Sequence, residues 1–182
     1  MKKIIVYTDG ASRGNPGPAS LGVFIQDGDI TKKYSEYLGE ITNNEAEYQA
    51  LIFALKKIKL LFGKDKVKNL EIEVRSDSQL LMRQMRGEYK IIEENIQKLF
   101  LITWNIRTDF GKIDFVEIPR EENGLADQLA NEALDNYKKA QKLAIWHIIL
   151  TWYNIAAQVG KAIAPIYRRG KSEHLFFANG GI

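Results

Sequence analysis

The sequence predicts an α/β fold in which a mixed sheet carries helices on its faces. Three patterns point there. Near the N-terminus, three β-rich runs are joined by short loops. A long run rich in Ala and Leu follows, with helical spacing. After it comes another β-rich run, which the intervening helix places parallel to the first strand by a crossover.

Each element can be justified in turn. Lys3 to Thr8 is β-rich and gives way at Asp9-Gly10 to a loop. Ala11 to Pro18 is dense in turn residues, and Leu21 to Gln26 reads as the second strand. Asp27-Gly28 signals a hairpin into a third strand, Thr31 to Leu38. From Thr42 the pattern changes, and Asn43-Asn44 lead into a helix over Glu45 to Phe62 that Gly63 ends. Leu70 to Val74 is the crossover strand, ending at Arg75-Ser76-Asp77. Helical patterns over Ser78–Arg86 and about Ile91–Ile106 precede a strand at Lys112–Ile118. Pro119 to Gly124 is a loop, and the chain is helical from Leu125 onward.

Composition narrows the chemistry. The 182 residues hold 45% hydrophobic residues, enough for a core, so wholesale disorder is excluded. With no cysteine, disulfide scaffolds, thiolate zinc sites, iron–sulfur clusters and thiol nucleophiles are excluded too. The two histidines, His147 and His174, leave little room for a Ser-His-Asp triad or a His-rich metal site in the main body. Any chemistry here falls to carboxylates.

Charge divides the chain. Residues 1–137 carry 19 Lys/Arg against 22 Asp/Glu, a net −3. Residues 138–182 carry seven basic residues against Glu173 alone, a net +6. The expected organisation is therefore a complete domain over 1–137 and a basic, aromatic-rich helical extension over 138–182. No secretory signal opens the chain. The stretch from Leu143 to Ile166 is broken by His147, Asn154, Gln158 and Lys161, and falls short of the ~20 apolar residues of a spanning helix. A cytoplasmic protein without a membrane partner is expected.

Four carboxylates stand out. Asp9 and Asp77 both follow strand-like runs, and parallel neighbouring strands would bring them out side by side at one sheet edge. Glu47 is in register with Leu51, Ala54 and Ile58, on an inward helical stripe, and Asp127 is in register with Ala130 and Leu134. Taken singly, strand-end aspartates form turns, a helical Glu is solvated, and Asp127 could simply open its helix. Convergence changes that reading. Carboxylates ~4 Å apart repel by ~4 kcal/mol per pair at an effective dielectric of ~20, so four together need cations. Hard oxygen donors suit Mg²⁺ or Mn²⁺, and two such ions about 4 Å apart serve phosphoryl chemistry.

The run Tyr7-Thr8-Asp9-Gly10-Ala11-Ser12-Arg13-Gly14-Asn15-Pro16-Gly17-Pro18-Ala19 resembles the opening motif of type 1 ribonuclease H. Thr42-Asn43-Asn44-Glu45-Ala46-Glu47-Tyr48 resembles its second motif and Ser76-Asp77-Ser78-Gln79 its third. The run from Pro119 through Asp127 to Asn131 resembles the fourth. All four occur in family order over roughly residues 1–137. The resemblance implies a ribonuclease H-like fold with a five-stranded sheet, an antiparallel meander plus parallel strands. It implies endonucleolytic cleavage of the RNA strand of RNA/DNA hybrids, leaving 5′-phosphate and 3′-hydroxyl ends. Asp9, Glu47, Asp77 and Asp127 become ligands of two Mg²⁺ ions, with Mn²⁺ as a possible substitute and Asp9 bridging.

The resemblance also assigns substrate contacts. Gly10, Ser12 and Asn15 fall where the family approaches the RNA strand and its 2′-hydroxyls. Asn43, Asn44 and Gln79 fall where it reads the minor groove, and Thr42 where it grips a DNA phosphate. Two features depart from the family. No histidine stands between Val116 and Asn123, so Arg120, or one of Glu117, Glu121 and Glu122, is the candidate for its product-release role, unless Arg120 is a plain surface residue. The basic protrusion of some members is missing, since Met85 to Lys90 leads straight into the next helix.

The rivals are a related nuclease of structured DNA or double-stranded RNA, a non-catalytic binding module, and a domain cut from a reverse transcriptase. The four motifs argue against the first, the intact carboxylates against the second, and the Met1 start and compact length against the third. In the extension, helix is expected to continue toward Ala164, with Pro165 as its stop. Its apolar run requires cover, either on its own domain or in a homodimer. Arg168, Arg169 and Lys171, near Tyr167, Phe176 and Phe177, suggest nucleic-acid binding, while a solvated basic face explains them equally well.

Overall fold

The structure, a computed structural model, describes residues 3–28 and 30–173, with residues 160–173 given by backbone alone. The chain divides into two compact units, Met1–Tyr137 and Lys138–Ile182. In the first unit, β1 (Lys3–Ser12), β2 (Gly17–Asp27) and β3 (Ile30–Ile41) form an antiparallel meander. Helix α1 (Asn43–Phe62) crosses to β4 (Glu71–Ser76), which lies parallel to β1. Then come α2 (Gln79–Met85), α3 (Glu94–Arg107) and β5 (Lys112–Glu117), which pairs parallel to β4. Helix α4 spans Gly124–Glu173. The five strands are ordered β3-β2-β1-β4-β5.

The expected α/β class and five-stranded mixed sheet are what the chain forms. Along α1, Ala50, Leu51, Ala54, Leu55 and Ile58 are buried, and the helix packs on β1 and α3. Each Leu or Ile moved from water into this core stabilises by about 1.5–3 kcal/mol. Thr42 caps the helix: its hydroxyl accepts from the Glu45 N–H, while the Glu45 carboxylate accepts from the Thr42 N–H in a reciprocal capping box. Ile4, Val6, Val23, Ile72 and Val74 fill the sheet beneath. The first three turns of α4 bury Ala126, Leu129, Ala130 and Ala133.

Several boundaries differ from the sequence expectation, among them β2, which begins at Gly17 instead of Leu21, and β3, which runs to Ile41 instead of Leu38. Strand β1 does not stop before Asp9, because its pairing with β2 continues from Asp9↔Gly22 to Ser12↔Ala19. Cross-strand bonds there override the local turn preference of Asp-Gly. Helix α3 starts at Glu94 instead of Ile91. Helix α4 runs through Pro165 to Glu173. Proline removes one ladder bond and costs a helix interior roughly 3 kcal/mol, which weakens a long helix without having to end it. Between α2 and α3 no further helix intervenes, so Met85 to Lys90 carries no protrusion.

In the second unit every side chain from Lys138 through Val159 is exposed, including Trp146, Ile148, Trp152 and Ile155. Among the described residues no helix is long and apolar enough to cross a membrane. His174, Phe176 and Phe177 lie outside the described residues, as do the side chains of Tyr167, Arg168, Arg169 and Lys171.

Candidate active site

The parallel β1–β4 pairing ends at Tyr7↔Arg75, and two residues beyond that point on the two strands lie Asp9 and Asp77. Both carboxylates therefore leave the sheet at one edge, Asp9 from within a strand and Asp77 from just past its end. Glu47 comes from the second turn of α1 and Asp127 from the first turn of α4.

Two glycines set how near the helices come. A Cβ on Gly10 would lie 2.2 Å from the Glu47 backbone nitrogen, so α1 rests directly on β1 there. A Cβ on Gly22 would lie 2.0 Å from the Ala126 carbonyl oxygen, so α4 rests on β2 directly across from Asp9. Only hydrogen fits at either contact. The Ser20 hydroxyl donates to the Ala130 carbonyl at 2.6 Å and holds α4 in this seat. Arg13 adds a 2.7 Å ion pair to Asp135.

The acids crowd together. Asp9 and Glu47 are each 6% exposed. Burial, then the charges of Asp77 and Asp127, push Asp9 up to about 7, against the weaker opposing pull of Arg120 and the Gly10 N–H. Burial, then Asp9 and Asp77, holds Glu47 well above the usual carboxylate range, although its Oε2 accepts from the Gly10 N–H at 3.2 Å. Asp77 Oδ1 accepts from the Asn123 amide at 2.7 Å, and the same amide donates to the Thr8 carbonyl at 3.1 Å. Asp127 accepts from Arg120 at 3.2 Å and from Asn131.

Among the described residues, no group of three or more Asp, Glu or His side chains is arranged to hold a metal ion. The acids are instead engaged with protein donors. The donor set still fits a hard divalent cation. It is all carboxylate oxygen, it is self-repelling, and two members are held toward neutrality by burial and by their neighbouring acids.

One cleft of about 300 Å³ gathers Asp9, Glu47, Asp77 and Asp127. Of the other residues singled out in the sequence, Gly10, Ser12, Asn43 and Arg120 also line it. Asn15, Thr42, Asn44 and Gln79 do not. Asn15 Oδ1 accepts from the Asn43 N–H at 3.1 Å, which braces the cleft wall. Thr42 is the α1 cap, Asn44 begins that helix, and the Gln79 amide donates to Glu117. The Ser12 hydroxyl is turned inward, bonded to the Gly14 and Ile41 carbonyls.

Sequence reasoning missed Asn123 and Asn131. Asn123 is 1% exposed and ties Asp77 to β1, yet it reads locally as a loop residue before a helix. The signal for Asn131 was its position one helical turn after Asp127.

A family model described as "Reverse transcriptase-like" matches residues 7–133. Ribonuclease HI of Halobacterium salinarum is 40% identical over 136 residues, covering 74% of this chain and 65% of that protein's length. LC11-RNase H1, isolated from compost by a metagenomic approach, is 48% identical with a TM-score of 0.70, covering 75% of this chain and 99% of its own. A second structure of LC11-RNase H1, in complex with an RNA/DNA hybrid, is 47% identical with a TM-score of 0.69, covering 74% and 98%. Residues 7–133 carry the sheet from Tyr7 onward, both glycine contacts and all four acids. The chain belongs to the type 1 ribonuclease H family.

Proposed function

We propose that the protein is an endonuclease that hydrolyses the RNA strand of RNA/DNA hybrids with two Mg²⁺ ions, leaving 5′-phosphate and 3′-hydroxyl ends. The observation that carries the reading is the convergence of Asp9, Glu47, Asp77 and Asp127 on one cleft. The hybrid bound by a relative 47% identical supports the choice of substrate. When bound, the ions supply an activated water and a counter-charge for the departing 3′-oxygen.

The chain's own residues supply positions and charges. Asp9, Glu47, Asp77 and Asp127 would hold the ions, with Asp9 feeling the charges of Asp77 and Asp127 and standing beside Glu47. Asn123 fixes the rotamer of Asp77, and the Gly10 N–H steers Glu47. Ser12, whose O–H is spent on main-chain carbonyls, keeps lone pairs that can accept from a ribose 2′-hydroxyl. Asn15 and Asn43 form a braced edge along the RNA strand, and Asn44 and Gln79 read the minor groove. Thr42 contacts a DNA phosphate at the N-terminus of α1, where main-chain N–H groups favour an anion. Arg120 sits on the cleft beside Asp127, placed to escort the 5′-phosphate product away.

The test is cleavage of an end-labelled RNA/DNA hybrid with Mg²⁺, run beside double-stranded RNA, double-stranded DNA and single-stranded RNA. Only the RNA strand of the hybrid is expected to be cut. Asp9→Asn removes several kcal/mol of transition-state charge stabilisation, a loss of ~1,000-fold or more in rate. Folded protein that cuts nothing across a wide range of Mg²⁺ and Mn²⁺ overturns the reading.

A further inference from the structure

We infer that the helix over residues 138–159 is a docking surface for an anionic lipid bilayer, on which it lies without spanning. The inference goes beyond the nuclease reading and does not depend on it. All side chains of this segment are exposed, and the large apolar ones are numerous. Ile148 is 56% exposed, Trp146 63% and Trp152 68%. Such a surface requires cover.

The distribution around the helix axis decides what kind. His147, Thr151, Asn154 and Gln158 recur at intervals of four, three and four residues, so at ~100° per residue they share an arc of only roughly 60°. Within that stripe the Thr151 hydroxyl donates to the His147 carbonyl at 2.8 Å. The large apolar side chains, among them Ile145, Trp146, Ile149, Trp152 and Ile155, spread over roughly 240° of the remainder. A helix pressed against one partner helix buries a stripe little wider than ~100°. A second copy would therefore leave more than half of the apolar arc in water. A lipid surface takes the whole arc and leaves the narrow polar stripe facing out.

Charge selects the lipid. Lys138, Lys139 and Lys142 precede the apolar arc, and no acidic residue occurs between Asp135 and Glu173. Lysines at the entrance to an apolar helix extend their ammonium groups to headgroup phosphates while their stems cover apolar surface. Trp146, Trp152 and Tyr153 are the side chains that favour the bilayer interface. The sequence expectation of no membrane partner rested on the lack of a spanning helix, a criterion that an interfacial helix does not have to meet.

The test is flotation of the full chain with vesicles of phosphatidylcholine alone and of equimolar phosphatidylcholine and phosphatidylglycerol. Binding to the anionic vesicles is expected to be roughly tenfold to a hundredfold tighter, and to weaken with salt. Ile148→Asp with Trp152→Asp is expected to weaken it ~100-fold. The same double variant should cleave a soluble hybrid at the parent's rate, which shows that the catalytic unit is folded. Vesicle binding is read without catalysis, so failure of the nuclease assay leaves this result intact. No flotation with either vesicle, equal flotation with both, or full retention by the double variant overturns the inference. So does a vesicle-free homodimer that fails to float, or a loss of hybrid affinity without loss of flotation when the three lysines are changed to Glu.

Discussion

Residues 3–137 and residues 138–159 hold misplaced side chains of opposite kinds. In the first stretch Asp9 and Glu47 are ionisable groups taken out of water, each 6% exposed. In the second, Trp146, Ile148 and Trp152 are apolar groups left in water. Both arrangements raise the free energy of the chain as it stands. On the two readings proposed above, each would be relieved by something the chain does not itself contain, a cation in one case and an apolar surface in the other. The acids are closely braced, by Asn123, Gly10 and the seat of α4 on β2. Over 138–159 the large apolar side chains, Trp146, Ile148 and Trp152 among them, stand exposed. The contrast separates a site built for positional accuracy from a surface that requires only area and charge.

The largest expected effect breaks the bracing. Gly22→Ala puts a methyl group where the Ala126 carbonyl oxygen would be 2.0 Å away. It should cost about 3 kcal/mol or more in denaturant unfolding, and hybrid cleavage should fall with it. A variant of unchanged stability would mean that α4 can lift off β2 freely, and the contrast between the two regions would collapse.

A second effect sharpens the contrast through pH. Asp9 and Glu47 both hold protons more tightly folded than unfolded, so their stabilising contribution is complete below about pH 4. It is lost as pH rises through the folded value, about 7 for Asp9. In chelator, the melting temperature should therefore decline across this window through these groups, with Asp9 contributing on the order of 4 kcal/mol. Asp9→Asn should flatten the decline, and Mg²⁺ should offset it above neutrality. A decline identical in Asp9→Asn and parent would remove Asp9 as its source.

The smallest effect is expected from cutting the chain after Tyr137, whose ring stacks on Tyr37 at 3.5 Å. Hybrid cleavage should stay within about threefold of the full chain, and its salt dependence should be unchanged. A raised KM with a flatter salt dependence would instead make residues 138–182 part of the hybrid-binding surface.

Much of this was legible from residue order. The meander, the crossover helix and the inward register of Glu47 follow from periodicities of two and 3.6. The four acids stood out because each sits where an acid costs stability or ends a strand. What stayed hidden is long-range. Asn123 donates to Thr8, 115 residues away, and to Asp77, 46 residues away, and no local pattern encodes either bond. Gly22 looks like any glycine in a strand, and its necessity comes from a helix that begins a hundred residues later. The end of β1 was misplaced for the same reason, since pairing with β2 outweighs the turn preference of Asp9-Gly10.

The two glycine contacts also bear on how fast the site responds. Main chain rests on main chain at Gly10 and Gly22, so the Cα atoms bearing Asp9 and Glu47, and the helix turn bearing Asp127, share the stiffness of the sheet. Rotamer changes of exposed side chains such as Arg120 take picoseconds to nanoseconds, far less than hinge or lid motions. On the proposed reading, loading a cation would move side chains against a main chain that stays in place.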